Sequence, residues 1–379
     1  MTWSTLKVEF SKDVFFPGEN VTGKVVVSTK KELTARKVEI SFFGKTVTAW
    51  RIDGKRRNRP VENFSHKQAE NTFLEMTHTV WSPENEKNVF PAGDYEWNFS
   101  FELPEKCLPS FEGIFGFIRY FVRVHVDVPN WIDTKLESAI TVSPIVDLNS
   151  MNSLNEPFEL QMEKNNPKLS FIPFLGSNGK IVYTIQSSRS GYVAGEDIFI
   201  TGTIENRTSK TLDMINAVFK RRITYRKDLS KSIFKFRRDN SSQPDSFNSK
   251  RLDRILAEIC ENTEIAPGET KPFRFKFTVP QVISTIRNCP FISVEYYITV
   301  SADHSYFGTP KVPTFNLFVG NVPFKGNEFR PRKFVKVESA QCWNTLLKPK
   351  FRYQIPYYGS RAEQSEDEIN FPFFQVTQV

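Results

Sequence analysis

Phe90-Pro-Ala-Gly-Asp-Tyr-Glu-Trp-Asn-Phe-Ser-Phe-Glu-Leu-Pro104 and Ile265-Ala-Pro-Gly-Glu-Thr-Lys-Pro-Phe-Arg-Phe-Lys-Phe-Thr-Val-Pro280 carry one pattern twice. Each enters through a Pro/Gly turn and stops at a proline. In between, Tyr95, Trp97, Phe99, Phe101 and Leu103 alternate with polar residues, as do Phe273, Phe275, Phe277 and Val279. At period two, one row enters a core and the other faces water, so both segments read as half-buried strands. Gly93 and Gly268 lie 175 positions apart, Pro104 and Pro280 lie 176 apart. Two further matches keep that spacing. Pro17-Gly-Glu-Asn-Val21 returns as Ala194-Gly-Glu-Asp-Ile198, and Ile118-Arg-Tyr-Phe121 returns as Val294-Glu-Tyr-Tyr297. Four matches in one order at nearly one offset describe a duplicated domain of ordinary size.

Strands expected in the first copy run Leu6 to Phe10, Val21 to Ser28, Val38 to Phe43, Thr72 to Trp81, Tyr95 to Leu103 and Ile118 to Val128. Short alternating strands without intervening helices imply an all-β chain of two tandem immunoglobulin-like antiparallel β-sandwiches. Leu252, Ile255, Leu256 and Ile259 have helical spacing, but subtracting the repeat offset lands them on the strand ending at Trp81, so they are read as strand. The expected organisation is a sandwich at 1–145, a linker at 146–178 rich in Asn, Pro and Lys, a second sandwich at 179–324, and a flexible tail at 325–379. Independent cores are expected in the two copies. Within the tail, Glu363-Gln-Ser-Glu-Asp-Glu-Ile-Asn-Phe-Pro-Phe-Phe374 sets acids beside aromatics, a composition suited to folding on a partner.

Thirty-six Phe against five Met favour pleated surfaces over helices. No stretch reaches the roughly 18 to 20 apolar residues of a membrane span, and Lys7, Glu9, Lys12, Asp13 and Glu19 leave no secretory h-region at the start. Four cysteines without a CxxC pair suit a reducing compartment, and with them the five sequons read as silent. These points speak against a secreted adhesion protein. The four histidines are scattered, and HExxH, GxSxG and phosphate-cradling glycine loops are absent, so no catalytic residue, metal or cofactor is expected. His125 falls on an outward strand row with Arg119, Arg123 and Asp127.

A formal charge of +8 favours acidic partners. Two basic clusters stand out: Arg51, Lys55, Arg56, Arg57 and Arg59 in an expected hairpin loop, and Arg221, Arg222 and Arg226 in the second copy. Guanidinium forks suit phosphorylated tails or an anionic lipid surface, and a solvated surface is the plainer alternative. Nucleic acid is not expected, because the aromatics alternate into cores instead of forming a stacking platform.

The motifs Phe16-Pro-Gly-Glu-Asn-Val-Thr-Gly23, Ala35-Arg-Lys-Val-Glu-Ile-Ser-Phe-Phe-Gly44, Leu108-Pro-Ser-Phe-Glu-Gly113, Gly191-Tyr-Val-Ala-Gly-Glu-Asp-Ile198 and Val319-Gly-Asn-Val-Pro323 occur in order. Together with the turns above, they make residues 5 to 324 resemble the arrestin-domain-containing proteins, the α-arrestins. The resemblance implies arrestin N- and C-terminal sandwiches in a non-enzymatic cytoplasmic adaptor, peripheral at the plasma membrane or endosomes. It implies docking on cytoplasmic tails of membrane receptors or transporters, and links to ubiquitin-ligase or endocytic proteins. Many members reach a ligase through Pro-Pro-x-Tyr; this chain has no Pro-Pro pair, and Ile355-Pro-Tyr-Tyr358 lacks the second proline. Cys260 lies near the place where a thioredoxin-binding relative carries a reactive cysteine, which makes thioredoxin capture the alternative reading. Glu258 and Glu261 beside it are expected to blunt such a thiol, and a buried structural role is the plainer expectation.

Overall fold

The computed structural model describes residues 5–51, 66–83, 88–129, 133–165, 179–227, 249–302, 312–325, 333–338 and 352–357. In copy one these are β1 (Thr5–Phe10), β2 (Val14–Phe15), β3 (Asn20–Thr29), β4 (Leu33–Thr34), β5 (Lys37–Arg51) and β6 (His66–Trp81). There follow β7 (Val89–Phe90), β8 (Gly93–Glu102), β9 (Phe111–Gly113), β10 (Gly116–Asp127) and β11 (Thr134–Val142). One sheet has the order β1-β3-β8 and the other β2-β11-β10-β5-β6. Copy two supplies β12 (Phe158–Asn165), β13 (Gly179–Ser187), β14 (Gly191–Val193), β15 (Asp197–Thr208) and β16 (Leu212–Arg226). It continues with β17 (Ser249–Ile265), β18 (Thr270–Thr278), β19 (Ile292–Ala302) and β20 (Thr314–Gly320). Its sheets run β12-β13-β15-β18 and β14-β20-β19-β16-β17. The two copies therefore share one strand order, with β12 added at one edge of the second.

The duplication reaches single hydrogen bonds. Gly18 and Gly195 sit at φ of 79° and 93°, a backbone region that penalises any residue with a Cβ. The glutamate after each caps its turn: Glu19 accepts from Phe16 N and Glu196 from Val193 N. Tyr120 Oη donates to Leu108 O at 2.6 Å, and Tyr296 Oη to Ile283 O at 2.7 Å. Ser110 Oγ accepts from Val142 N as Thr285 Oγ1 does from Val319 N. Each buried hydroxyl thus finds a backbone partner and ties a crossing loop to its sheet.

Both long hairpins carry a bulge at the equivalent place. Pairing of β5 with β6 skips Phe73, and pairing of β16 with β17 skips Leu256. Phe73 and Leu74 both pack on the core, and so do Leu256 and Ala257. Two consecutive core-facing residues need the extra residue of a bulge.

Two expectations change. The stretch 146–178 is not without structure: Phe158–Asn165 forms β12, which pairs antiparallel with β13. Phe158, Leu160 and Met162 alternate with Glu159, Gln161 and Glu163, a period-two signal that had no counterpart in copy one to reveal it. The stretch read as a flexible tail contains an antiparallel pair, β21 (Lys333–Glu338) with β22 (Arg352–Tyr357). Among the described residues, no helix is long and apolar enough to cross a membrane.

Candidate functional site

β1 is a bare edge. It pairs with β3 in unbroken register from Thr5↔Ser28 to Phe10↔Gly23, and no described strand covers its other side. Ser11 N donates inward to Thr22 O, so by alternation the N–H groups of Leu6, Val8 and Phe10 point outward. In copy two the equivalent edge is occupied, because β12 lies along β13 from Phe158↔Ser187 to Asn165↔Lys180. The Phe158 ring lies tilted against that of Phe315, 4.7 Å between centroids. β6 and β17 are bulged, and β18 contains Pro272, devices that blunt strand addition, whereas β8 and β12 end their sheets in unbroken register as β1 does. Beside β1, Lys7 meets Glu9 at 2.7 Å and Lys24 meets Glu96 at 3.2 Å. Lys7, and then Lys24, hold the Glu9 carboxyl below the usual carboxylate range. These exposed pairs solvate the edge without closing it.

A packed seam joins the copies. Tyr225, near the end of β16, lies against Phe111 and Phe115 of copy one, at ring distances of 6.5 and 5.7 Å. Gly113 leaves room for the Tyr225 hydroxyl, where a Cβ would collide. Thr48 Oγ1 donates to Arg226 O at 2.7 Å, and Lys227 Nζ donates to Trp50 O at 2.9 Å while lying 4.0 Å over its ring. Asn321 accepts from Val146 N and donates to Pro144 O; Asn149 donates to Pro323 O and accepts from Lys325 N. Partners in these hydrogen bonds are 174 to 178 positions apart, close to the repeat offset, so each residue meets the neighbourhood of its own counterpart, whereas Tyr225 meets a different strand of copy one.

The chain matches the family model of the arrestin (or S-antigen) N-terminal domain over residues 5–149 and that of the C-terminal domain over residues 177–324. It belongs to the arrestin-domain-containing family. It is similar to arrestin domain-containing protein 17 of Caenorhabditis elegans, 27% identical over 82% of this chain and 68% of that one. Arrestin domain-containing protein 4 of Mus musculus is 24% identical over 96% of this chain and 82% of its own. A thioredoxin-interacting protein of Mus musculus is 26% identical over 76% and 66%.

In this arrestin-domain protein the basic clusters separate. Arg51 ends β5 opposite His66, while Lys55, Arg56, Arg57 and Arg59 lie outside the described residues. Arg221 is only 4% exposed, so it does not reach a partner at the surface, a correction to its reading as a phosphate contact. It shares strand parity with Phe219, Ile223 and Tyr225, which points it into the sandwich, and burial lowers its pKa. Arg222 is already engaged, donating to both oxygens of Asp253 at 2.8 Å and stacking 4.7 Å over Tyr297. Arg226 is half-buried and donates to Ser293 Oγ, and burial lowers its pKa too. The copy-two cluster thus works within the fold, a cost that sequence spacing alone did not reveal. Cys260 is exposed on β17, not buried as expected. His125 bridges Asp133 at 3.0 Å and Glu39 at 3.5 Å. Among the described residues, no group of His, Cys, Asp and Glu could hold a metal ion.

Proposed function

We propose that this chain is a cytosolic adaptor that takes extended segments of membrane-protein cytoplasmic tails onto the edge of β1, for endocytic sorting at the plasma membrane or endosomes. Family membership supports an adaptor, and one observation carries the docking mode: among the described residues the same edge is filled by β12 in copy two and bare in copy one. Strand addition gives affinity through main-chain hydrogen bonds and specificity through alternate side chains. β12 is the template for the occupant, an antiparallel segment with apolar residues at every second position and acidic or amide residues between. Arg51, Lys55, Arg56, Arg57 and Arg59 add attraction for phosphorylated tails or anionic lipid in this reading. The sandwich at 1–145 takes cargo, and the one at 179–324, where β12 covers the equivalent of β1, faces ubiquitin-ligase or endocytic partners reached without Pro-Pro-x-Tyr.

The test uses the outward N–H of Val8. Val8→Pro removes a donor from the free edge and leaves the β1–β3 ladder its inward bonds. A labelled peptide with the sequence of β12, Phe-Glu-Leu-Gln-Met-Glu-Lys-Asn, is expected to bind the wild type and not Val8→Pro, while the melting temperature stays close to wild type. Proximity labelling in cells is expected to recover membrane-protein tails with the wild type only. Equal binding by both proteins, or binding that survives scrambling of the peptide's alternation, would sink the edge-docking reading.

A further inference from the structure

Phe199 sits on the outward row of β15 and is 41% exposed. Arg274 lies 5.5 Å and Lys276 5.7 Å from its ring centroid. The fold does not require these three. Phe199 is opposite Lys276 in copy two as Thr22 is opposite Ser100 in copy one, and Asn98 stands where Arg274 does. The same sheet positions are thus filled by small neutral residues in one copy and by an aromatic flanked by two cations in the other. β12, which copy one lacks, raises a wall beside them and creates a groove of about 530 Å³ lined by Pro157, Phe158, Gln186, Ser187, Phe199 and Thr201. Glu159 at its rim accepts from Gln186 at 3.1 Å, and Lys276 reaches Asp197 at 2.8 Å. Arg274 has no carboxylate partner among the described residues.

We infer that this face of copy two docks an acidic peptide segment carrying a bulky apolar side chain. The side chain fills the groove against Phe199, and a neighbouring carboxylate meets Arg274. A concave floor suits a side chain better than a flat bilayer, and desolvated aromatic and arginine contacts are those that dominate peptide affinity. Residues 363–374 of the chain itself, Glu-Gln-Ser-Glu-Asp-Glu-Ile-Asn-Phe-Pro-Phe-Phe, have this composition and supply the probe.

A fluorescent synthetic peptide of that sequence is titrated into full-length protein carrying Glu366→Gln, Asp367→Asn and Glu368→Gln, so that the chain's own acids do not compete. Saturable binding is expected. It should weaken about tenfold when Phe199→Thr, Arg274→Asn and Lys276→Ser are introduced together, and likewise when the three phenylalanines of the peptide become alanine. These replacements are the residues copy one already accommodates, and a thermal melt checks that the fold persists. No binding, or binding indifferent to the triple replacement, overturns the inference. Vesicles of phosphatidylserine and phosphatidylcholine form the second arm. If they bind through the same three residues while the peptide does not, the face belongs to a bilayer and the inference is again overturned.

Discussion

Arg222, Asp253 and Tyr297 form one hydrogen-bonded cluster. Tyr297 Oη donates to Asp253 at 2.8 Å and accepts from Arg222 at 2.9 Å. Burial pushes the Asp253 carboxyl up, but the hydrogen bonds from Arg222 and Tyr297 outweigh it and leave the group below the usual carboxylate range. Burial, and then the bond to Asp253, pushes Tyr297 from 10.0 up to about 12. A raised folded value means that the unfolded chain loses its proton first. The contribution of Tyr297 is therefore whole below pH 10.0 and is lost as pH rises to about 12. Unfolding midpoints measured across that window should fall less steeply for Tyr297→Phe than for the wild type; equal slopes would remove Tyr297 from the alkaline limb. Asp253 works in the opposite direction, its contribution being lost only as acid drives the pH below the ordinary carboxylate value. At this scale the sequence was partly legible. Lys220-Arg221-Arg222 reads as one surface cluster, yet a strand cannot show three consecutive side chains to one side, and parity with Phe219 and Ile223 marks Arg221 as the inward one. The pairing of Arg222 with Asp253 needed the register of β16 on β17, which no local pattern states.

The bulge in β17 explains an ambiguity that belongs to the element. Leu252, Leu256 and Ile259 mimic a helical stripe because the extra residue at Leu256 shifts the alternation by one step midway along the strand. Core-facing positions before the bulge are even-numbered, such as Leu252 and Arg254, and those after it are odd, such as Ala257 and Ile259. Deleting Leu256 removes the extra residue, so Ile255 and Ala257 pair with consecutive residues of β16 and both halves of β17 keep their faces. Urea unfolding of that deletion is expected to show a loss within the roughly 0.5–3 kcal/mol of ordinary substitutions, since only the Leu256 side chain leaves the core. A larger loss would mean that the pairing of β17 with β16 depends on the bulge itself. Strands entered through Pro-Gly or Ala-Gly-Glu turns were plain in the sequence because their signals are local. β12 was not, since its alternation is short and the repeat offered nothing to align it with.

For the whole molecule the repeat revealed two sandwiches but not how they meet. The expectation of independent cores gives way to a seam where Tyr225 is lodged against Phe111 and Phe115. Truncating such an aromatic costs roughly 3–5 kcal/mol. Scanning calorimetry should show one cooperative transition for the wild type and two for Tyr225→Ala, as the copies uncouple. Two transitions already present in the wild type, and unmoved by the substitution, would restore independence. The contacts between counterparts have a further consequence. When regions meet close to their own equivalents, two halves pack much as the subunits of an isologous homodimer do. A tether holds such halves together at the millimolar effective concentration of a short linker. Two identical subunits would have to carry the same strands along the β1 edge. Halves joined in one chain are free to differ, and among the described residues only the second has a strand added beside the equivalent of β1.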